Sequence, residues 1–221
     1  VEDVTHTGEG DGIYAVDLKG NIETDINSIV INDIKFKEAG SADVYERPGN
    51  GGLRIDRAEL TDTTISKISV SNIVEESGGF DITYSGVRIL NSDPIKAEDI
   101  EIDTVETKAP ISSAYGINSL NSNLSYKTIA ISNVTGSFTA AGLYDQGSSV
   151  IESEEGSGFI TVSNINGGAA YGVEFTNDGF YSGKQLTVQN VTASGFQSPQ
   201  FYALPNAWGV HAGADMDFEV I

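Results

Sequence analysis

Six times along this chain an alternating apolar run closes on Asn, Asp or Thr and then on one more aliphatic residue. The copies are "IVINDI" from Ile29, "ISVSNI" from Ile68, "IEIDTV" from Ile100, "IAISNV" from Ile129, "ITVSNI" from Ile160 and "LTVQNV" from Leu186, with starts 39, 32, 29, 31 and 26 residues apart. Between them runs a second phrase, Gly followed by an aliphatic residue, at Gly12-Ile13, Gly52-Leu53, Gly86-Val87, Gly116-Ile117, Gly142-Leu143, Gly172-Val173 and Gly209-Val210. Two interleaved phrases with a period near thirty mean that one structural unit is written over and over. A unit that short cannot bury its own apolar face and has to be completed by its neighbours.

Both phrases read as strand, because apolar residues recur at i and i+2 with Ser, Thr, Glu, Ala or Gln between them. In the second phrase this parity puts Tyr171, Val173 and Phe175 on one side and Ala170, Gly172 and Glu174 on the other. Tyr115 with Ile117, and Trp208 with Val210, fit the same rule. The residue that closes the first phrase is Asn72, Asn133, Asn164 or Asn190, with Asp33 and Thr104 in the same slot. Asn accepts left-handed backbone angles, so this slot predicts a sharp bend. The expected fold is all-β, a right-handed parallel β-helix of about six to seven coils, with residues 1–221 forming one domain. Stacking of coils predicts a ladder of mutually bonded side chains from Asp33, Asn72, Asn133, Asn164 and Asn190, and an internal column of rings from Tyr115, Tyr171 and Trp208. Leucine-rich repeats do not fit the Asn spacing and need a helix or 3₁₀ turn per repeat. A β-sandwich of short strands is the competing all-β arrangement.

Charge narrows the partners. Against 12 Lys and Arg stand 32 Asp and Glu, a formal net charge of −20, which repels nucleic-acid phosphates and anionic membrane surfaces. Cysteine is absent, so disulfides, thiolate metal sites and cysteine nucleophiles are excluded. No run of about 18 apolar residues is present to span a bilayer as a helix. The chain begins without Met and without a signal peptide, so it is expected to be a segment of a longer, processed protein.

Repeats such as "ISNVTGSFTAAGLYDQG" and "ITVSNINGGAAYGVEF", in an acidic, cysteine-free chain rich in Gly, Ser and Asn, resemble the passenger domain of a bacterial autotransporter. The resemblance spans nearly the whole chain and rests on repeat grammar. It implies export, passage across the outer membrane with the help of a separate C-terminal β-barrel, and display on the bacterial cell surface. The function it implies is a non-enzymatic adhesin that attaches to a host glycan or protein receptor or to another copy of itself, without direct membrane contact by this segment. A carbohydrate-active β-helix enzyme and a passive spacer are the alternatives.

Function on such a scaffold belongs to loop insertions. One is expected near residues 35–52, holding Tyr45 and Arg47; another near 195–209 concentrates Phe196, Phe201 and Tyr202. Exposed aromatics among polar residues are surfaces for sugar rings and protein hot spots, and these five residues are the candidate ligand contacts. The plainer role of the rings near the end is to cap an open coil. The four arginines, Arg47, Arg54, Arg57 and Arg88, cluster in an otherwise acidic chain. They either pair with neighbouring carboxylates or make an anion site.

No cofactor is expected, with Ca²⁺ as the alternative. The carboxylate runs at Glu98, Asp99, Glu101 and Asp103 and at Glu152, Glu154 and Glu155 have the oxygens that Ca²⁺ prefers. Glu101 and Asp103 nevertheless alternate with Ile100 and Ile102 and belong to a solvated face, and no calcium-loop motif is present. Catalysis finds no signature either. His6 and His211 stand at opposite ends, no Gly-x-Ser-x-Gly elbow occurs, and "GEGDG" lacks the Lys of a phosphate-binding loop.

Overall fold

The computed structural model describes residues 5–7, 13–37, 49–60, 63–77, 82–109, 111–153, 156–175, 179–197, 202–203, 205–213 and 215–220. Among them the chain is almost entirely strand, with no α-helix. Strands β1 to β16 follow one another in chain order.

The first phrase builds one face of the core. Its copies lie in β3 (Ile26–Lys37), β5 (Ile65–Ser77), β7 (Ile95–Thr107), β9 (Asn123–Asp145), β11 (Phe159–Phe175) and β12 (Phe180–Ala193). These strands pair in parallel so that Ile29, Ile68, Ile100, Ile129, Ile160 and Leu186 stand side by side. Ile31, Val70, Ile102, Ile131, Val162 and Val188 make a second row two residues on. A one-residue slip would turn both rows to solvent, so their burial pins the register. Nearly all of these side chains are buried, each contributing roughly 1.5–3 kcal/mol of transfer free energy.

The second phrase builds the facing wall. It occupies β2 (Tyr14–Asn21), β4 (Gly49–Glu59), β6 (Thr83–Leu90), β8 (Ser113–Leu120), the later halves of β9 and β11, and β15 (Ala207–Ala212). Val16, Leu53, Val87, Ile117, Leu143, Val173 and Val210 are register partners along this wall. The first copy is therefore Ala15-Val16 and not Gly12-Ile13, which sits three residues too early. Alanine fills the slot that glycine holds elsewhere. A third, shorter row joins Ile95, Leu124, Ile151, Tyr181 and Met216 through β10 (Val150–Ser153) and β16 (Asp215–Val220).

Strand β9 passes through all three rows and pairs with strands about thirty residues before and after it. Strands β9, β10, β12 and β11 pair in sequence around a closed ring. Strand β1 (Thr5–Thr7) adds to β3. Among the described residues every pairing is parallel except that of β13 (Phe196–Gln197) with β14 (Tyr202–Ala203). Two facing antiparallel layers, as in a sandwich, are thus not how these strands associate.

The chain turns between rows at fixed residues. Asp33, Asn72, Thr104, Asn133, Asn164 and Asn190 all have positive φ, between 54° and 65°. A second bend, between the second and third rows, uses Arg57, Asn91 and Asn121. There Ser92, Ser122 and Ser149 form a buried ladder: Ala58 N–H donates to Ser92 Oγ, Ser92 N–H to Ser122 Oγ and Ser122 N–H to Ser149 Oγ. The phrase Leu-Asn-Ser at residues 90–92 and again at 120–122 is the sequence mark of this corner.

Glycine in the second phrase answers a close approach. A Cβ on Gly116 or Gly142 would run into Ile131 or Val162 of the facing wall, and each would also crowd the carbonyl oxygen of the next glycine along. Gly172 and Val173 therefore both turn inward, as do Gly116 and Ile117. Two inward residues in succession break the expected alternation. Tyr171 and Glu174 share the outer face, whereas Val173 and Phe175 are in the core. The internal ring column is accordingly corrected. Tyr115, Tyr171 and Trp208 do occupy one register line, but Ala141 stands between the first two, and Trp208 is 48% exposed.

Two carboxylates lie inside and are satisfied there. Glu75 accepts from Thr107 Oγ1 at 2.5 Å and from the Ala109 amide at 2.9 Å. Asp145 accepts from Ser149 Oγ at 2.6 Å and from the Tyr181 hydroxyl. Burial pushes the Asp145 carboxyl above the usual carboxylate range, against the pull of those donors.

Candidate ligand-binding cleft

The residue after each Gly-aliphatic pair faces outward, because two inward residues precede it. In register these residues are Asp17, Arg54, Arg88, Asn118, Tyr144, Glu174 and His211. The repeat fixes the scaffold on either side, and here the copies diverge into different polar and charged groups. On the outer face beside them lie Tyr115 and Tyr171, the residues before the glycines.

Side chains of the two lines meet over β6, β8, β9 and β11. The Tyr115 and Tyr144 rings stack with centroids 4.4 Å apart and planes 10° from parallel. Tyr171 and Phe138 bring further apolar surface, and Arg88, Asn118 and Glu174 bring polar groups, to a cleft of about 380 Å³. Burial raises the phenols of Tyr115 and Tyr144 above their ordinary range, so both hydroxyls are neutral donors at physiological pH.

The charges along this face pair off at its two ends. At one end Arg54 Nε donates to Asp17 Oδ1 at 2.9 Å and Arg54 Nη2 to Asp17 Oδ2, a bidentate fork. The hydrogen bond from Arg54 is what chiefly holds the Asp17 carboxyl below its usual range. At the other end His211 Nδ1 lies 3.5 Å from Glu174 Oε1. Desolvation raises the Glu174 pKa, and the hydrogen bond to His211 opposes it. Between them Arg88 donates from Nη1 to the Tyr14 hydroxyl at 3.2 Å. Its Nε is buried without a hydrogen-bond partner, and among the described residues no carboxylate pairs with it.

The predicted site residues fall elsewhere. Tyr45, Arg47 and Phe201 lie outside the described residues. Phe196 and Tyr202 belong to the small antiparallel pair β13–β14, where only the backbone is described. Of the two predicted insertions, residues 38–48 and parts of 195–209 are likewise outside. The predicted ladder is joined in two stretches. Asn72 Nδ2 donates to Asp33 Oδ1 at 2.9 Å, Asn164 Nδ2 to Asn133 Oδ1 and Asn190 Nδ2 to Asn164 Oδ1, each at 3.0 Å. Thr104 interrupts it, and Asn133 donates instead to Asp103, the residue before the slot.

Arg57 pairs loosely with Asp56 at 3.9 Å and is exposed. Glu101 and Asp103 are exposed and engage Lys67 and Ser132. Among the described residues no group of His, Cys, Asp and Glu is arranged to hold a metal ion. Sequence reasoning missed the cleft because it assigned Tyr115 and Tyr171 to the core. The signal available was the variable residue after each Gly-aliphatic pair: Arg54, Arg88, Asn118, Tyr144, Glu174 and His211. No protein-family model, no curated protein and no solved structure matches the chain.

Proposed function

We propose that this chain is a right-handed parallel β-helix of about six to seven coils and serves as a non-enzymatic passenger segment of a bacterial surface adhesin. Its place is extracellular, its partner a host glycan or protein receptor or a second copy of the chain, and it uses no cofactor. The supporting observation is the pairing of the six first-phrase copies with one another, in parallel and in register, about thirty residues apart. One spacing of about 4.8 Å per coil makes a body about 30 Å long, which extends a binding face without needing a catalytic centre. The outward line that diverges from copy to copy is that face.

The test is display of the chain on a non-adherent bacterium. Displaying cells should attach to host cells or clump with each other, and clumping should weaken at low ionic strength, where bodies of charge −20 repel over a longer Debye length. Displaying cells that neither attach nor clump at any salt concentration would refute the adhesin. A crystal structure of the purified chain should show the strand rows stacked coil on coil about 4.8 Å apart; two facing antiparallel layers would refute the coil.

A further inference from the structure

We propose that the cleft over β6, β8, β9 and β11 binds an acidic oligosaccharide, its carboxylate held by Arg88 and its sugar rings packed against Tyr144 and Tyr171. This names a ligand for the adhesin reading and rests on that reading for the ligand's being a surface glycan.

The charge accounting along the outer line carries the argument. Seven register partners include two arginines on adjacent strands, Arg54 and Arg88, an arrangement in which like charges repel. Asp17 neutralises Arg54 through its bidentate fork, and His211 engages Glu174. Among the described residues the Arg88 guanidinium has a phenol hydroxyl as its hydrogen-bond partner and no carboxylate, and its Nε is buried and unbonded. The arginine also lines the cleft, where an incoming carboxylate would give its guanidinium the charge-assisted partner that Arg54 already has. The guanidinium is also housed: a Cβ on Gly49 would collide with Arg88 Nη1 and lie 2.8 Å from the Tyr14 hydroxyl oxygen. The cradle exists because residue 49 has no side chain.

The rest of the cleft selects a sugar over a peptide. From Arg88 to Glu174 is three strand spacings, about 14 Å, a span of two to three pyranose units. Along it the cleft offers aromatic surface for the apolar faces of rings, and the Asn118 amide with the Thr83 and Ser113 hydroxyls to meet sugar hydroxyls. Glu174 at the far end repels a second carboxylate, so the fit is a glycan with its acid group at the Arg88 end.

Calorimetry on the whole purified chain tests this with three probes: a trisaccharide carrying a single terminal glucuronic acid, the same trisaccharide as its methyl ester, and an acidic tripeptide. The acid should bind about tenfold or more tightly than the ester, the difference a charged hydrogen-bonded contact makes. Arg88→Gln should erase that preference while keeping the ester's affinity. Gly49→Ala, which retains the arginine but displaces it, should reduce the preference. Tyr144→Leu should weaken acid and ester alike, and Arg57→Gln, which removes the same charge from an exposed site, should change neither. Circular dichroism checks that each variant is folded. The inference is overturned by equal binding of acid and ester, by an Arg88→Gln variant that still prefers the acid, by an Arg57→Gln loss of equal size, by preference for the tripeptide, or by no binding. Attachment of displaying cells despite any of those results would leave the adhesin standing and remove only this ligand.

Discussion

A left-handed backbone angle costs an ordinary L-residue about 1–2 kcal/mol, and nine non-glycine residues described here adopt one. Seven of the nine are Asn or Asp, whose short polar side chains lower that cost by bonding locally. At the first bend they do more, since each amide also bonds its counterpart on the neighbouring strand. Asn164 is the best case, donating to Asn133 and accepting from Asn190 at 3.0 Å each. Asn164→Ala should therefore lower stability by about 2 kcal/mol, combining lost hydrogen bonds with backbone strain. Asn164→Gly should lose less, because glycine keeps the angle. Urea titration of the two variants separates the contributions, and equal losses would mean that the angle is not strained. The bend itself was legible in the recurring Asn, whereas Asp103's capture of Asn133 was not, because only register brings those two side chains together.

At the scale of the strand, the second phrase is governed by how closely two walls approach. Gly86, Gly116, Gly142 and Gly172 each face a Val or Ile of the first phrase and the carbonyl oxygen of the next glycine. In Gly142→Ala the new Cβ would press on Val162 Cγ1 and stand 2.7 Å from the Gly172 carbonyl oxygen. Neither wall can retreat without spoiling the row it belongs to, so the variant should lose about 3 kcal/mol, at the upper end for an overpacked core. A shift in denaturation midpoint at constant slope checks it. The same close approach explains the misread alternation. A period of two assumes a flat pleat, but the strand bends where glycine admits the facing side chain, and Tyr115 and Tyr171 are left outside. Nothing in a local window announces a bend whose cause sits on another strand.

For the whole molecule, the buried phenols set the response to pH. Tyr115, Tyr126 and Tyr181 all have pKa values raised by burial above the ordinary 10.0, with Asp145 adding to the effect at Tyr181 and Tyr144 and Glu174 at Tyr115. A raised folded pKa means stability that is complete below the unfolded value and is lost as pH climbs past it. Stability should hold up to about pH 10 and then fall by as much as about 1.4 kcal/mol per pH unit for each such phenol. Tyr126 donates to the Ser182 carbonyl oxygen at 3.0 Å, and Tyr126→Phe should be less stable at pH 8 but decline less steeply above 10. Denaturation series at pH 8 and pH 11 decide it, and parallel losses in the two proteins would contradict the burial argument.

What the sequence determined by itself is the unit: its two phrases, their period, the Asn bends and the all-β character, because each depends on residues close together in the chain. Only the tertiary structure decided which face each tyrosine takes, that Ala15-Val16 opens the second wall, that serines line the other corner, and that among the described residues Arg88 is the arginine without a carboxylate. Those outcomes depend on neighbours about thirty residues away, and a pairing at that distance exists only once the strands lie side by side.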